Sequence, residues 1–173
     1  MTKRKTVKEV FEELAESHLT SVEKGQRLER FVARYLLTDP QYANQLENVW
    51  LWSDWPDRWG PDTGIDLVAK EAGTGNYWAI QCKFFDPSQS ITKASIDSFL
   101  AASGKSFQTS DGEWHSFSQR LIVSTTPKWA PNAEKTIEGQ EPPVQVLGIN
   151  HLDESPIDWD QFYWRKPDNL QKK

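Results

Sequence analysis

Gly64-Ile65-Asp66-Leu67-Val68-Ala69 and Tyr77-Trp78-Ala79-Ile80-Gln81-Cys82-Lys83-Phe84-Phe85 decide how this chain is read. Both stretches alternate apolar, β-branched and aromatic residues with a few polar ones, the pattern of strands. Between them, Lys70-Glu71-Ala72-Gly73-Thr74-Gly75-Asn76 supplies glycines and an asparagine suited to a hairpin turn. A turn centred on Gly73-Thr74, with a loop of two or four residues, sets Asp66 opposite Gln81. Side chains alternate across a strand, so Gln81 and Lys83 share a face, ~7 Å apart. Ile80, Cys82 and Phe84 then point the other way, into a core. An acid, an amide and an ammonium group on one face of a hairpin can hold a divalent cation beside a phosphodiester.

Outward from this hairpin the order of elements is mixed. Thr6 is placed to cap a first helix with Val7, Val10, Phe11 and Leu14 on one stripe. A second helix is predicted from about Val22 to Leu37, burying Leu28, Phe31, Val32, Tyr35 and Leu36. Glu29 lies at the margin of that buried face, ~100° from Leu28, within reach of a site beside the sheet. A strand and an aromatic loop are expected between Gln45 and Gly60. After the hairpin, Asp86-Pro87-Ser88-Gln89-Ser90 reads as a turn capping a third helix, with Ile96, Phe99, Leu100 and Ser103 on one side and Gly104 closing it. Arg120 to Ser124 and Val144 to Ile149 read as short strands around a helix at Asn132–Glu138. The pattern implies a single α/β domain over residues 1–164, a sheet between helices, followed by a polar tail over 165–173.

The residues of the hairpin and second helix resemble the PD-(D/E)xK nuclease superfamily, and more closely its Mrr-like branch, where Gln often replaces the acid of the (D/E)xK element. The matching pieces are Gly64-Ile65-Asp66, Gln81-Cys82-Lys83, and Lys24-Gly25-Gln26-Arg27-Leu28-Glu29-Arg30-Phe31, which is similar to the family's first core helix with its acid at Glu29. Together with Ile96-Asp97-Ser98-Phe99, these segments look like the N-terminal nuclease domain of Type ISP restriction–modification enzymes. The resemblance implies a restriction-endonuclease-like three-layer fold, a central mixed sheet flanked by helices. It implies double-stranded DNA as substrate, and a helicase-like ATPase and a methyltransferase in the same polypeptide. Residues 165–173 then read as a linker toward that motor.

The implied chemistry is metal-assisted phosphodiester hydrolysis. Magnesium prefers hard oxygen ligands and keeps several waters, which suits Asp66, the Gln81 amide oxygen and the Cys82 backbone carbonyl, with Mn²⁺ as a substitute. Glu29 contributes a direct or water-bridged contact, and Lys83 orients the attacking water or balances the charge that builds on the phosphate. Arg58, Lys93, Lys105 and Lys128 are candidates for phosphate contacts.

Each assignment has a plainer competitor. Gln81 and Lys83 suit the polar face of an ordinary half-exposed strand. Against that, Leu67, Val68, Ile80, Phe84 and Phe85 describe a buried hairpin, in which a lysine needs a partner. Asp62 reads as a cap of the turn leading into Gly64. Of nine tryptophans, Trp50, Trp52, Trp55 and Trp59 crowd one segment. They form either an aromatic wall behind the hairpin or, through an exposed ring, a stacking platform for a base.

Composition narrows the classes further. At 173 residues and 19.9 kDa the chain suits one domain. The absence of a long apolar run argues against a membrane span, and one cysteine suits a reducing cytoplasm rather than a disulfide framework. A net charge of −5 argues against tight binding of nucleic acid over the whole surface. A nuclease of this balance needs a local cleft, a metal, or a partner that delivers the DNA. Ser103-Gly104-Lys105-Ser106 imitates the end of a P-loop, but Phe99 stands where its first glycine belongs. His18, His115 and His151 show no metal-ligand spacing. Two other readings use the same residues: a catalytically silent module that docks DNA or protein, and a structure-specific repair or junction nuclease.

Overall fold

The structure, a computed structural model, describes residues 6–61, 63–86 and 88–155. The expected tail, the last residues of the expected domain and Asp62 lie outside the described residues.

The first helix, α1 (Val7–Ala15), starts where the Thr6 hydroxyl accepts a hydrogen bond from Glu9 N, and it buries Val7, Val10, Phe11 and Leu14. A reciprocal capping box between Thr20 and Glu23 opens α2 (Ser21–Thr38). Its buried stripe is Leu28, Phe31, Val32, Ala33, Tyr35 and Leu36. A short α3 (Pro40–Ala43) follows, capped by Asp39. The sheet begins with β1 (Leu46–Leu51), and a 3-10 turn at Trp52–Asp54 leads toward the central hairpin.

That hairpin is β2 (Leu67–Glu71) and β3 (Tyr77–Lys83). The chain then forms α4 (Lys93–Ser103), β4 (Ser106–Gln108), β5 (Trp114–Ser124), α5 (Pro131–Ile137), β6 (Val144–Leu147) and α6 (Ile149–Asp153). β1, β2 and β3 form an antiparallel meander, β5 lies parallel to β3, and β6 parallel to β5. Parallel neighbours need crossovers, which α4 and α5 provide. The result is a mixed six-stranded sheet between two apolar layers. Leu67, Ile80, Leu121 and Val123 face α1 and α2, whereas Val68, Ala79 and Ile122 face Ile96 and Phe99 of α4. This is the expected α/β architecture.

Four details differ from the sequence reading. The cap of α4 is Thr92, paired with Ser95, and not the Asp86–Ser90 turn. The Asp86 carboxylate is spent on its own turn, accepting from Ser88 N and Oγ. β5 reaches back to Trp114 because its polar first half pairs with β4, an alternation too weak in apolar residues to predict. β6 stops at Leu147, since Gly148 starts α6 and takes Ile149 with it. Arg120, expected only as a strand end, is 2% exposed. Its guanidinium donates to Pro142 O, Gln140 Oε1 and Ser103 Oγ, tying β5 to α4 and to the segment before β6.

Gly64 controls how the chain enters β2. Its φ is +87°, and a Cβ there would lie 3.0 Å from Phe99 N and from Ser98 C. Both the backbone conformation and the close approach of α4 exclude a side chain. Gly64→Ala should therefore lower stability by ~1–3 kcal/mol, read as a lower midpoint in urea or thermal melting. A melting curve unchanged from wild type would contradict this account of the β2–α4 contact.

Candidate active site

The site forms at the end of the sheet where β2 begins and β3 ends. The register Leu67↔Ile80, Val68↔Ala79, Ala69↔Trp78 and Lys70↔Tyr77, continued by one residue, sets Asp66 against Gln81. Asp66 N donates to Ile80 O at 3.0 Å, and Glu71 N to Asn76 O at 2.8 Å, leaving a four-residue loop, Ala72 to Gly75. Beyond the paired residues, Cys82 N donates to Asp66 Oδ2 at 2.8 Å. The main chain of β3 thereby fixes the aspartate carboxylate at the hairpin mouth.

Gln81 is 4% exposed. Its Nε2 donates to Gly64 O at 3.1 Å, and its Oε1 is buried without a hydrogen-bond partner. A buried acceptor left unmatched costs ~1–3 kcal/mol. Lys83 is half-buried at the end of β3; burial pulls its ammonium pKa down and the neighbouring Asp66 carboxylate pushes it back up. From the opposite layer, α2 brings Glu29 beside Asp66. Burial and the Asp66 charge raise the Glu29 carboxyl to about 8, with Arg30 opposing them. The Cys82 thiol is pushed well up by burial and by the Asp66 and Glu29 charges, which makes it a poor nucleophile.

Of these groups, Glu29 and Asp66 open onto a cleft of about 590 Å³. One wall is the α2 face from Ser21 to Arg30; the other is built from Leu51, Trp52, Ser53, Pro61, Ile65 and Asp66. Gln26 and Arg30 on the first wall were not singled out from sequence. Gln26, three residues before Glu29, could have been found from helical spacing; Arg30, its immediate neighbour in sequence, carried no such signal.

Two of the four basic candidates lie toward this end. Ile91 N donates to Lys128 O, Lys128 also helps lower the Asp86 carboxyl, and Lys93 opens α4 two residues after Ile91. Lys93 is already paired with Asp97 at 3.0 Å. Arg58 donates to Trp55 O, in the loop between the cleft-lining Ser53 and Pro61. Lys105 lies elsewhere, two residues from Phe107, whose ring contacts Tyr77 at the start of β3, ~20 Å from Lys83. Among the tryptophans, Trp52 and Trp55 are buried in the wall. Trp59 is 38% exposed, yet its ring meets Trp52, Trp55 and Phe107.

Among the described residues no group of three or more His, Cys, Asp and Glu side chains is placed to hold a metal ion. The donor set here is of another kind: two adjacent carboxylates and an amide oxygen. It fits a hard divalent cation, which would relieve the Glu29–Asp66 repulsion and match the orphaned Gln81 Oε1.

The sequence matches the model of the restriction endonuclease family Mrr_cat_2 over residues 37–169. The chain belongs to this family. The matched span contains the β2–β3 hairpin and begins after Glu29. The chain is similar to the ATP-dependent Type ISP restriction–modification enzyme LlaBIII in its DNA-bound structure, with 32% identity and a TM-score of 0.70. That likeness covers 98% of this chain and 10% of LlaBIII, so the chain spans about a tenth of that enzyme's length. It is also similar to the restriction endonuclease MspJI, with 15% identity and a TM-score of 0.49, over 85% of this chain and 29% of MspJI. The modification-dependent enzyme AspBHI matches at 13% identity and a TM-score of 0.47, over 84% of this chain and 33% of its own. Comparison with curated protein sequences gives no match.

The Glu29 shift makes stability depend on pH. Its folded-state carboxyl titrates at about 8 against an ordinary value of 4.5, so the folded state holds the proton longer than the unfolded one. The associated stability is complete below the ordinary value and is lost as pH rises through the folded value. Each pKa unit is worth ~1.4 kcal/mol before solvent screening at this half-buried position reduces it. In metal-free buffer, Glu29→Gln should melt ~3–6 °C above wild type at pH 9, with the gap closing at acid pH. Parallel melting curves across that range would refute the shared burial of Glu29 and Asp66.

Proposed function

We propose that the chain is a metal-dependent endonuclease module of a restriction–modification enzyme, hydrolysing phosphodiester bonds in double-stranded DNA. The observation that carries this reading is the convergence of Asp66, Glu29, Gln81 and Lys83, from two strands and a helix, at one hairpin mouth. Magnesium is the natural ion for this oxygen-rich set, with manganese as a substitute. Asp66, Glu29, Gln81 Oε1 and the Cys82 carbonyl are the groups that would hold it. When bound, it supplies Lewis acidity at the phosphate and acidifies a coordinated water.

The side chains divide the remaining work. Asp66, fixed by Cys82 N, sets the position of the charge at the site. Lys83, beside Asp66 and partly dried, presents its ammonium to a non-bridging phosphate oxygen or to the incoming water. Water attacks phosphorus as the bond to the leaving sugar oxygen breaks, and the negative charge gathered on the phosphate is met by Lys83. Glu29 holds a proton to about pH 8 in the metal-free site, so metal affinity, and cleavage at limiting metal, should increase as pH rises toward 8.

The likeness to LlaBIII supports a setting in which a motor and a methyltransferase belong to the same polypeptide. The net charge of −5 is in keeping with DNA being delivered and held by other segments. No helix among the described residues is long and apolar enough to cross a membrane. A cytoplasmic site of action follows from the proposed substrate and from the lone cysteine.

Supercoiled plasmid incubated with the protein and Mg²⁺ or Mn²⁺ should be nicked or linearised, and EDTA should stop the reaction. Asp66→Ala and Lys83→Ala should each reduce the rate by ~10²-fold or more while melting within a few degrees of wild type. Wild-type rates in either variant would remove the catalytic assignment. Inactivity of the wild-type chain, alone and fused to its motor, would favour a silent docking module.

A further inference from the structure

Gly25 has no reason within the described chain to be glycine. It lies inside α2, where glycine is the least favoured residue after proline. Its φ is not among the positive values found at five other glycines, and a Cβ built on it meets nothing within 4 Å. Gly64, by contrast, is required both by its φ and by the backbone of α4. A glycine with open space in front of it lets another backbone come up to the helix itself.

The space in front of Gly25 is the cleft that also holds Glu29 and Asp66. Gly25 precedes Glu29 by one helical turn on the same face, ~6 Å along the axis. Val22 continues that face and is 71% exposed, a large apolar side chain with no cover. Arg30, next to Glu29, lines the same wall and offers a planar guanidinium suited to phosphate oxygens. Across the cleft stand Trp52 and Ile65.

We propose that this face of α2, from Arg30 back to Val22, seats the DNA strand that flanks the scissile phosphate. Gly25 is the point where the sugar–phosphate backbone meets the helix. Arg30 takes a phosphate beside the reacting one, and Val22 covers a deoxyribose further along. The occupant is nucleic acid because the cleft is continuous with the carboxylates that would cut it, and because its cationic residue, Arg30, lies next to them. This inference rests on the nuclease reading of the same site.

The test uses the 173-residue chain with Gly25→Ala and Gly25→Leu. Three quantities are measured: thermal midpoint, Ca²⁺-supported binding of a fluorescein-labelled duplex by anisotropy, and plasmid cleavage in Mg²⁺ or Mn²⁺. Removing a helix-interior glycine should raise the midpoint by ~2–4 °C in both variants. Duplex affinity and cleavage should fall in order of side-chain size, ~3-fold for Ala and ~10-fold or more for Leu. Higher thermal stability with weaker DNA handling is the expected signature. Variants that bind and cut as wild type does would overturn the inference and leave the nuclease reading standing. A wild type that binds but never cuts, alone or fused to its motor, with binding lost in Gly25→Leu, would overturn the nuclease reading and keep the DNA seat. A wild type that neither binds nor cuts in either form removes both.

Discussion

Two hydrogen bonds at the mouth of the β2–β3 hairpin organise everything proposed for this protein: Asp66 N to Ile80 O, and Cys82 N to the Asp66 carboxylate. The first is the last rung of an antiparallel ladder. The second replaces the next rung with a side chain, so the ladder ends by holding a carboxylate in place. A slip of one residue would turn Asp66 to the other face of the sheet and separate it from Lys83. Gly64 guards that register from one side, because α4 presses on its backbone, and the Gln81 amide guards it from beneath through its bond to Gly64 O.

The electrostatics of the site run against the stability of the empty fold. Two carboxylates, from α2 and from the hairpin, share a partly dry position, and one of them holds its proton to about pH 8. A half-buried lysine stands beside them with its own charge discouraged by burial. The amide oxygen of Gln81 is enclosed with nothing to accept. Each of these is a cost in isolation, and costs of this kind gather where a fold serves chemistry rather than its own stability. A divalent cation would offset the carboxylate repulsion and the unmatched amide oxygen, which is the physical link between these costs and the proposed activity.

The hairpin was legible because strand periodicity, turn residues and register are local properties, each written within about twenty residues. α1 and α2 were equally readable, since Thr6 stands at the cap of α1 and the apolar stripes of both follow at helical spacing. The N-cap of α4 was not, because Asp86 and Ser88 satisfied each other within their own turn, leaving Thr92 to begin the helix. The first half of β5 escaped because a polar strand is defined by its partner β4 and not by its own pattern. Arg120 escaped for a related reason: its neutral partners come from α4 and from the segment before β6, far away in sequence. Of the site, Asp66 opposite Gln81 could be read from spacing. The burial of Glu29 against Asp66 depends on how α2 leans on the sheet, and the separation of Lys105 from Lys83 depends on the length of β3.

Cys82, the one thiol in the chain, sits in β3 between Gln81 and Lys83 and feels the charges of Asp66 and Glu29. Its thiolate is disfavoured by both burial and negative neighbours, so alkylating and oxidising reagents find little to attack while the hairpin is closed. Once β3 peels away, the thiol regains ordinary reactivity. The rate at which a thiol reagent modifies this protein is therefore a built-in gauge of how often the reaction centre breathes open, obtained without label or mutation.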